Sequence, residues 1–161
     1  MEYYHRQYGF PGISLMPCNL YGTNDNYDLE SSHVIPALIR KAVEAVQQGA
    51  ATIPVWGTGS ALREIMHVDD LAAAIVFMLE HYCEPGFINV GWGEAVSIRE
   101  LAELVVKLAG FKGRLDWDAS KPDGMPKKCM DVSRMRALGF APKISLAEGL
   151  AREIAEYRSS R

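Results

Sequence analysis

The order of apolar and polar residues predicts short strands separated by amphipathic helices. Apolar runs without helical spacing predict strands at 13–16, Thr52–Trp56, 63–68, Phe87–Val90, 114–117 and 129–132. Apolar residues at helical spacing predict helices over 33–48, from Asp69 onward and from Ser145 onward. The polar and aromatic run 1–8, which stops at Gly9, predicts the last turns of a helix, and capping residues predict helices from Ser97 through Leu108 and over 133–139. Strands alternating with helices predict an α/β fold. The runs at 13–16 and Phe87–Val90 lack alternation, so we expect both strands to be buried on both faces.

Polar residues mark the expected helix starts. Ser97 with Glu100, and Ser145 with Glu148, have the spacing of a capping box, in which each side chain bonds the other residue's backbone N–H. Three other residues of N-capping type precede apolar stripes and are expected to cap their helices: Ser32, Asp69 and Ser133. His33 follows Ser32 in the first helical turn, where the helix dipole disfavours the imidazolium and favours a neutral imidazole near pH 7.

The central stretch 55–74 places an aromatic ring and a cation on either side of a tight turn. Trp56 precedes Gly57-Thr58-Gly59, and Arg63 follows it. An aromatic face beside a guanidinium suits a planar base that carries phosphate. On composition alone we favour the simpler alternative, in which Trp56 packs in a core and Arg63 pairs with a surface carboxylate. The turn lacks the third glycine of a dinucleotide fingerprint and no helix follows at once, so we reject a phosphate loop there.

Composition narrows the classes of function. The chain has 161 residues and a formal net charge of −3, which provides no basic field for nucleic acid. No apolar run is long enough to span a membrane, and we expect a soluble cytoplasmic protein. Cys18, Cys83 and Cys129 lie far apart without metal-ligand spacing, so no metal site is predicted. Cys18 is expected to be a small buried residue rather than a nucleophile.

Two further charged groups have competing interpretations. The loop 121–128 carries three lysines and one aspartate, and it suits either a diphosphate or a solvated turn. Asp69 and Asp70 are adjacent on a helix and therefore point apart, which argues against a catalytic carboxylate pair.

Together, several motifs resemble one family, the GDP-L-fucose synthases, which are extended short-chain dehydrogenase/reductases. The motifs are Pro17-Cys18-Asn19-Leu20-Tyr21-Gly22, Ser32-His33-Val34-Ile35-Pro36-Ala37-Leu38-Ile39-Arg40, Val55-Trp56-Gly57-Thr58-Gly59, Arg63-Glu64, His67-Val68-Asp69-Asp70, Ile98-Arg99-Glu100-Leu101-Ala102 and Ser120-Lys121-Pro122-Asp123-Gly124 through Lys128. The resemblance implies an incomplete Rossmann-type portion, with one or two parallel strands and helices, joined to the small mixed α/β substrate-binding domain of these reductases. The resemblance also implies that residues 1–161 are one truncated unit, which corresponds to the C-terminal half of such an enzyme.

The resemblance also implies roles for particular residues. The family epimerises C3 and C5 of a GDP-4-keto-6-deoxy-mannose and then reduces C4 with NADPH, and His33 matches its acid/base histidine. The residues that would lie along the nicotinamide end of NADP are Pro17, Cys18, Asn19 and Leu20, with His33 beside them. Cys18 stands where the family usually has threonine. The residues that would hold the GDP-sugar are Lys41, Trp56, Arg63, Asp123 and Lys128.

The family's other functional motifs do not occur in this sequence. It has no glycine-rich NADP loop and no Tyr-x-x-x-Lys pair, and the family's catalytic serine and acid/base cysteine have no counterpart. We therefore expect the chain by itself to bind no NADP and to lack catalytic activity. The alternatives are a GDP-sugar binding module or a partner that docks on a full-length enzyme. Apolar strands without neighbours are also expected to drive homo-oligomerisation.

Overall fold

The computed structural model describes residues 1–160, which form six helices and nine strands. The helices are α1 Glu2–Tyr8, α2 Val34–Gln48, α3 Val68–His81, α4 Ile98–Leu108, α5 Ser133–Ala137 and α6 Leu146–Ser159. The strands are β1 Ser14–Pro17, β2 Asn19–Tyr21, β3 Thr52–Trp56, β4 Leu62–Arg63, β5 Ile65–His67, β6 Phe87–Val90, β7 Val96–Ser97, β8 Arg114–Asp118 and β9 Lys127–Lys128. Since most strands pair in parallel and helices connect them, the predicted α/β class is confirmed.

The strand pairs join distant parts of the chain. Parallel pairs form between β1 and β6, between β2 and β5, and between β3 and β8. A three-stranded sheet has β4 at its centre, antiparallel to β7 and parallel to β9. The two strands predicted on either side of the Gly57-Thr58-Gly59 turn therefore pair with other strands and not with each other.

The larger core lies between three helices and the β3–β8 pair. Helices α2, α4 and α6 pack on one another, and β3 contributes Ile53 and Val55, which are 2% and 5% exposed. The stripe predicted on α2 is buried at Ile35, Leu38, Ile39, Ala42 and Val43, while Val46 at its end is exposed. Both predicted capping boxes form, at Ser97 with Glu100 and at Ser145 with Glu148, so the sequence located the starts of α4 and α6.

The smaller core lies beneath the β1–β6 pair, where α3 and α5 pack. Its fully buried members include Met66, Met78, Ile88 and Met135. The expectation that β1 and β6 are buried on both faces is wrong, because Met16 is 53% exposed and Phe87 58% exposed. Within residues 1–160 each of these strands pairs with the other alone, so each has an unpaired outer edge.

Three predicted helix caps are replaced by neighbouring residues. His33, not Ser32, is the N-cap of α2, and the Ser32 hydroxyl is buried without a hydrogen-bond partner in residues 1–160. His67, not Asp69, caps α3, because its Nδ1 accepts the Asp69 N–H at 3.2 Å. Val132, not Ser133, is the N-cap of α5, and the Ser133 N–H donates to the Asp131 carboxylate at 2.9 Å.

Two predicted strands also differ. The run 63–68 divides into β4 and β5 at Glu64, whose side chain turns into the interior. The run 129–132 contains no strand, and the short strand β9 lies just before it, at Lys127–Lys128. On α3, the apolar residues Ile75 and Leu79 recur at helical spacing but are 43% and 69% exposed. No helix within residues 1–160 combines the length and apolarity needed to cross a membrane.

Candidate functional site

The junction between β1 and β2 forms the floor of a cavity, which we call the main cavity because predicted site residues line it. Pro17 ends β1, and the Cys18 N–H continues the pairing with β6 by donating to the Val90 carbonyl at 3.0 Å. β2 then pairs with β5 instead, so the chain changes neighbour at Cys18. This change leaves room between the two strand pairs, at the carboxyl end of β1, where open α/β sheets bind ligands.

The cavity has a volume of about 520 Å³. It is lined by Cys18, Asn19, Leu20, His33, Val34, Ile35, Arg63 and Ile65. The fold therefore brings Cys18, Asn19 and Leu20, three of the residues predicted for the cofactor, together with His33 and Arg63. Pro17, also predicted for the cofactor, is not among the lining residues. Lys128 reaches the same region, since its Nζ donates to the Asn19 Oδ1 at 3.3 Å.

His33 is exposed at the N-cap of α2, on the cavity wall. Its backbone is extended (φ −73°, ψ 171°) and its side chain makes no capping hydrogen bond. The His33 imidazole therefore does not cap the helix through a hydrogen bond. It can point into the cavity and exchange a proton with a ligand there.

Cys18 is 7% exposed, and this burial argues against a role as a nucleophile. Burial, with the nearby Glu64 carboxylate, raises the pKa of the Cys18 thiol to about 12. A thiol in this environment stays protonated at neutral pH. The prediction that Cys18 is a small buried residue is confirmed.

The Trp56 ring stands at the end of β3 and is 70% exposed. The favoured interpretation from composition, that Trp56 packs in a core, is wrong, because the alternation along β3 places Trp56 on the solvent side with Thr52 and Pro54. The Lys121 ammonium lies 5.6 Å from the ring centroid, within cation–π range. Lys41 is nearby on α2, its Nζ donates to the Pro54 carbonyl at 3.0 Å, and burial lowers the pKa of its ammonium.

Arg63 separates the main cavity from a smaller one of about 190 Å³, and it lines both. Its Nη1 donates to the carbonyls of Leu62 at 2.8 Å and Met125 at 2.6 Å. No carboxylate within residues 1–160 forms a salt bridge with Arg63, so the interpretation as a surface ion pair is wrong. Because Nε and Nη2 take no part in the two Nη1 contacts, the guanidinium keeps donors for an anionic ligand.

Asp123 lies against the Gly57-Thr58-Gly59 turn and not in the main cavity. Its carboxylate accepts hydrogen bonds from the Thr58 backbone N–H at 2.7 Å and from the Thr58 hydroxyl at 2.6 Å. Hydrogen bonds from Thr58, Gly59 and Ser60 hold the pKa of the Asp123 carboxyl below its usual range. The rejection of a phosphate loop at this turn agrees with the structure, since a carboxylate of the chain itself fills the turn.

Sequence reasoning missed the residue that fixes the cavity floor, Glu64. This side chain is 1% exposed, and its oxygens accept the N–H groups of Gly93 at 2.8 Å and Met130 at 2.7 Å. Its backbone carbonyl accepts from the Asn19 side chain at 2.8 Å. The signal in the sequence was a carboxylate inside an otherwise apolar run.

A second buried polar group lies behind β5. The His67 Nδ1 accepts the Asp69 N–H, so its Nε2 carries the hydrogen and donates to the Glu153 carboxylate at 3.3 Å. The Tyr27 hydroxyl donates to the other Glu153 oxygen at 3.4 Å. Burial raises the pKa of the Glu153 carboxyl. These contacts join α6 to the start of α3 and serve the fold.

Asp69 and Asp70 point apart as predicted. Asp69 is exposed, whereas Asp70 is buried and accepts the N–H groups of Lys143 at 2.9 Å and Ile144 at 3.0 Å. No group of three or more histidine, cysteine or carboxylate side chains with metal-binding geometry occurs in residues 1–160.

Comparisons with known proteins identify the relatives of this chain. A model of the NAD dependent epimerase/dehydratase family matches residues 1–91. The chain is 55% identical to the probable GDP-L-fucose synthase 1 of Oryza sativa subsp. japonica, over 91% of this chain and 45% of that protein. It is 48% identical to the GDP-L-fucose synthase of Escherichia coli, over 93% of this chain and 50% of that protein. It thus spans about half the length of these relatives.

A solved structure shows the same fold. The GDP-L-fucose synthetase of Naegleria fowleri bound to NADP superposes with a TM-score of 0.85 at 26% identity, covering 92% of this chain and 47% of that one. The resemblance that the motifs indicated is therefore confirmed, and so is the relation to extended reductases.

The burial of Cys18 predicts unequal thiol reactivity. At pH 8 we expect Cys83, which is exposed, to be alkylated by iodoacetamide at an ordinary rate, and Cys18 to react only after denaturation. Peptide mass spectrometry over a time course measures both sites in one sample. Alkylation of Cys18 as fast as that of Cys83 in the folded chain would contradict the buried, protonated thiol.

Proposed function

Because the chain belongs to the NAD-dependent epimerase/dehydratase family, we propose that it forms the GDP-sugar side of the cleft of a GDP-4-keto-6-deoxy-mannose 3,5-epimerase/4-reductase. The supporting observation is the shared cavity, where His33, residues 18–20 and Arg63 meet and which Lys128 reaches through Asn19. Relatives that are about half identical to this chain are named for GDP-L-fucose synthesis.

In this proposal the cations and the aromatic ring hold the nucleotide. Arg63 and Lys128 balance the diphosphate charge from two sides of the cavity. The exposed Trp56 ring offers a flat surface to the base. Lys41, beside the same strand, adds a further cation close to that ring.

His33 is proposed as a proton carrier for the sugar. A 4-keto group acidifies the hydrogens on C3 and C5, so removal of one gives an enolate, and return of a proton to the opposite face inverts the carbon. Histidine suits this exchange because its charge changes near neutral pH. The exposed imidazole on the cavity wall can approach a sugar bound there.

The residues around the β1–β2 junction fit one part of NADP. Cys18, Asn19 and Leu20 line the cavity directly after Pro17, and the Cys18 thiol stays protonated because burial raises its pKa to about 12. When bound, NADPH supplies the hydride for reduction at C4. Since this sequence has no glycine-rich phosphate loop, we propose that the chain by itself does not retain the cofactor and is catalytically inactive.

A binding module is the second candidate function. It is favoured because Arg63 lines the cavity and Lys128 reaches it through Asn19, whereas the cofactor motifs do not occur in the sequence. In this form the chain would capture a GDP-sugar, or dock on a full-length enzyme, without chemistry of its own.

Exposed apolar side chains support self-association. They lie on α1 (Tyr3, Tyr4 and Tyr8), on the outer face of α3 (Ile75, Val76 and Leu79) and on the outer faces of β1 and β6 (Met16 and Phe87). Apolar surface on this scale is typical of interfaces. We propose that two or more copies of the chain cover it in solution.

Nucleotide binding is tested by calorimetry with GDP. We expect binding by the wild-type chain and a loss of about 1–3 kcal/mol in Trp56→Ala, the usual contribution of a base stacked on an aromatic side chain. Phe87→Ala is the matched control, since Phe87 is also an exposed aromatic residue but lies on β6, away from the strand β3 that carries Trp56. Absence of heat with the wild type, or equal affinity in Trp56→Ala, would refute the assignment.

Catalytic activity is tested by following NADPH oxidation with GDP-4-keto-6-deoxy-mannose. We expect no turnover by the pure chain. The variant His33→Asn separates the chain's activity from that of a contaminant. Turnover that is present in the wild type and lost in His33→Asn would overturn the expectation of inactivity, whereas turnover equal in both would come from another protein.

Self-association is tested by sedimentation velocity over a range of concentrations. We expect a species larger than the monomer, which Leu79→Glu shifts toward the monomer because it places a charge on the outer face of α3. Met125→Glu changes an equally exposed apolar residue on a different surface and should leave the distribution unchanged. A monomer at every concentration argues against the proposal.

A further inference from the structure

The loop that joins β2 to α2, residues 22–33, ends at His33 and is fastened to the protein by the Tyr27 side chain. Most of residues 23–31 are exposed, whereas the Tyr27 ring packs against the larger core. The centroid of this ring lies 4.6 Å from that of the Tyr157 ring on α6, with an angle of 39° between the two planes. The loop is therefore attached to α6 near its middle.

The Tyr27 hydroxyl adds a polar contact inside the protein. It donates to one oxygen of the Glu153 carboxylate at 3.4 Å, and the other oxygen accepts from the His67 Nε2 at 3.3 Å. Because Glu153 is 2% exposed, water does not compete for these bonds. Burial, together with the Glu153 charge, raises the pKa of the Tyr27 hydroxyl, which therefore stays protonated and remains a donor at neutral pH.

The Tyr27 backbone is fixed as well. The Arg40 Nη1 on α2 donates to the Tyr27 carbonyl at 3.1 Å. Arg40 is itself oriented, since its Nε donates to the Glu44 Oε1 at 2.9 Å, and the Tyr157 hydroxyl donates to the same oxygen at 3.4 Å. Helices α2 and α6 thus hold Tyr27 at its ring, its hydroxyl and its carbonyl.

Short hydrogen bonds connect Tyr27 to His33 along the chain. The Ser32 N–H donates to the Asp28 carbonyl at 2.7 Å, and the Ser31 hydroxyl donates to the Asp28 carboxylate at 2.8 Å. Residues 28–32 therefore form a compact turn between the anchor and the histidine. Since the His33 side chain makes no capping hydrogen bond, its place on the cavity wall depends on this loop.

We propose that Tyr27 and Glu153 are positioning residues: the contact between the hydroxyl and the carboxylate holds the loop 22–33 against α6 and thereby places the His33 imidazole on the wall of the main cavity. Neither Tyr27 nor Glu153 lines that cavity, so both act through His33. This inference rests on the proposed function and deepens it, because it states what fixes the proposed proton carrier.

The first experiment needs no ligand. ¹³C relaxation of the His33 Cε1–H group and amide hydrogen exchange of Ser32 are measured by NMR in the wild type, in Tyr27→Phe and in Tyr82→Phe. Tyr27→Phe keeps the ring and removes only the hydroxyl. Tyr82→Phe is the matched control, because it removes a hydroxyl that accepts from Arg134 at 2.8 Å in the smaller core. In Tyr27→Phe we expect a lower order parameter at His33 and exchange about tenfold faster at Ser32, with neither change in the control.

His81 on α3 serves as an internal reference in every sample, since its imidazole stacks on Phe77 outside the loop. A lower order parameter at His33 alone supports the positioning role. A fall at both histidines, or an equal change in Tyr82→Phe, would mean a general loss of structure and overturns the proposal. Unchanged relaxation at His33 in Tyr27→Phe overturns it too.

Glu153→Gln tests the other partner of the contact. An amide has one acceptor oxygen where a carboxylate has two, so the bonds from Tyr27 and His67 are weakened. We expect a smaller change at His33 in the same direction as in Tyr27→Phe. Glu156→Gln alters an exposed glutamate on the same helix and should leave His33 unchanged. Equal relaxation at His33 in the wild type and in Glu153→Gln refutes the role of Glu153.

The last experiment relates the loop to the proposed site by adding GDP-mannose to the wild type and to Tyr27→Phe. We expect the nucleotide sugar to shift the His33 imidazole signals in the wild type, and to shift them less in Tyr27→Phe at equal saturation. Equal shifts in both, or binding to the wild type without any shift at His33, overturn the link between the loop and the sugar. If GDP-mannose does not bind at all, the proposed function fails, while the ligand-free relaxation still decides the positioning role.

Discussion

The buried carboxylate of Glu64 is the contact on which the cavity depends. A charge taken out of water is costly unless hydrogen bonds replace its hydration. Glu64 meets this requirement by accepting two backbone N–H groups, from Gly93 and Met130, that come from separate parts of the chain. Its own backbone bonds Asn19 and Lys128. One residue thus joins the strands and loops that surround the site.

The consequence for function is that the floor and the wall of the cavity are fixed together. The Asn19 side chain accepts a hydrogen bond from the Lys128 ammonium and donates one to the Glu64 carbonyl. Arg63 directly precedes Glu64, and its guanidinium is held by the Leu62 and Met125 carbonyls. Cations in such a setting keep their positions without a ligand, which reduces the entropic cost of binding an anion.

Local signals in the sequence located most helices and strands. The Ser-x-x-Glu spacings at Ser97 and Ser145 placed two helix starts correctly, because a capping box is formed by residues within one turn. The predicted cap at Asp69 failed for a tertiary reason. His67 is held by the buried Glu153 from a distant helix, so its ring is fixed where it accepts the Asp69 N–H, and Asp69 itself remains exposed.

The sequence by itself determined the α/β class, the family and the residue types that suit a nucleotide sugar, since periodicity and motifs are properties of neighbouring residues. Tertiary structure alone decided which of these residues meet. It turned Trp56 outward, buried Glu64 and closed a glycine turn on Asp123, 65 residues away from Thr58. Such contacts depend on how separate segments pack, and packing of distant segments leaves no regular pattern along the chain.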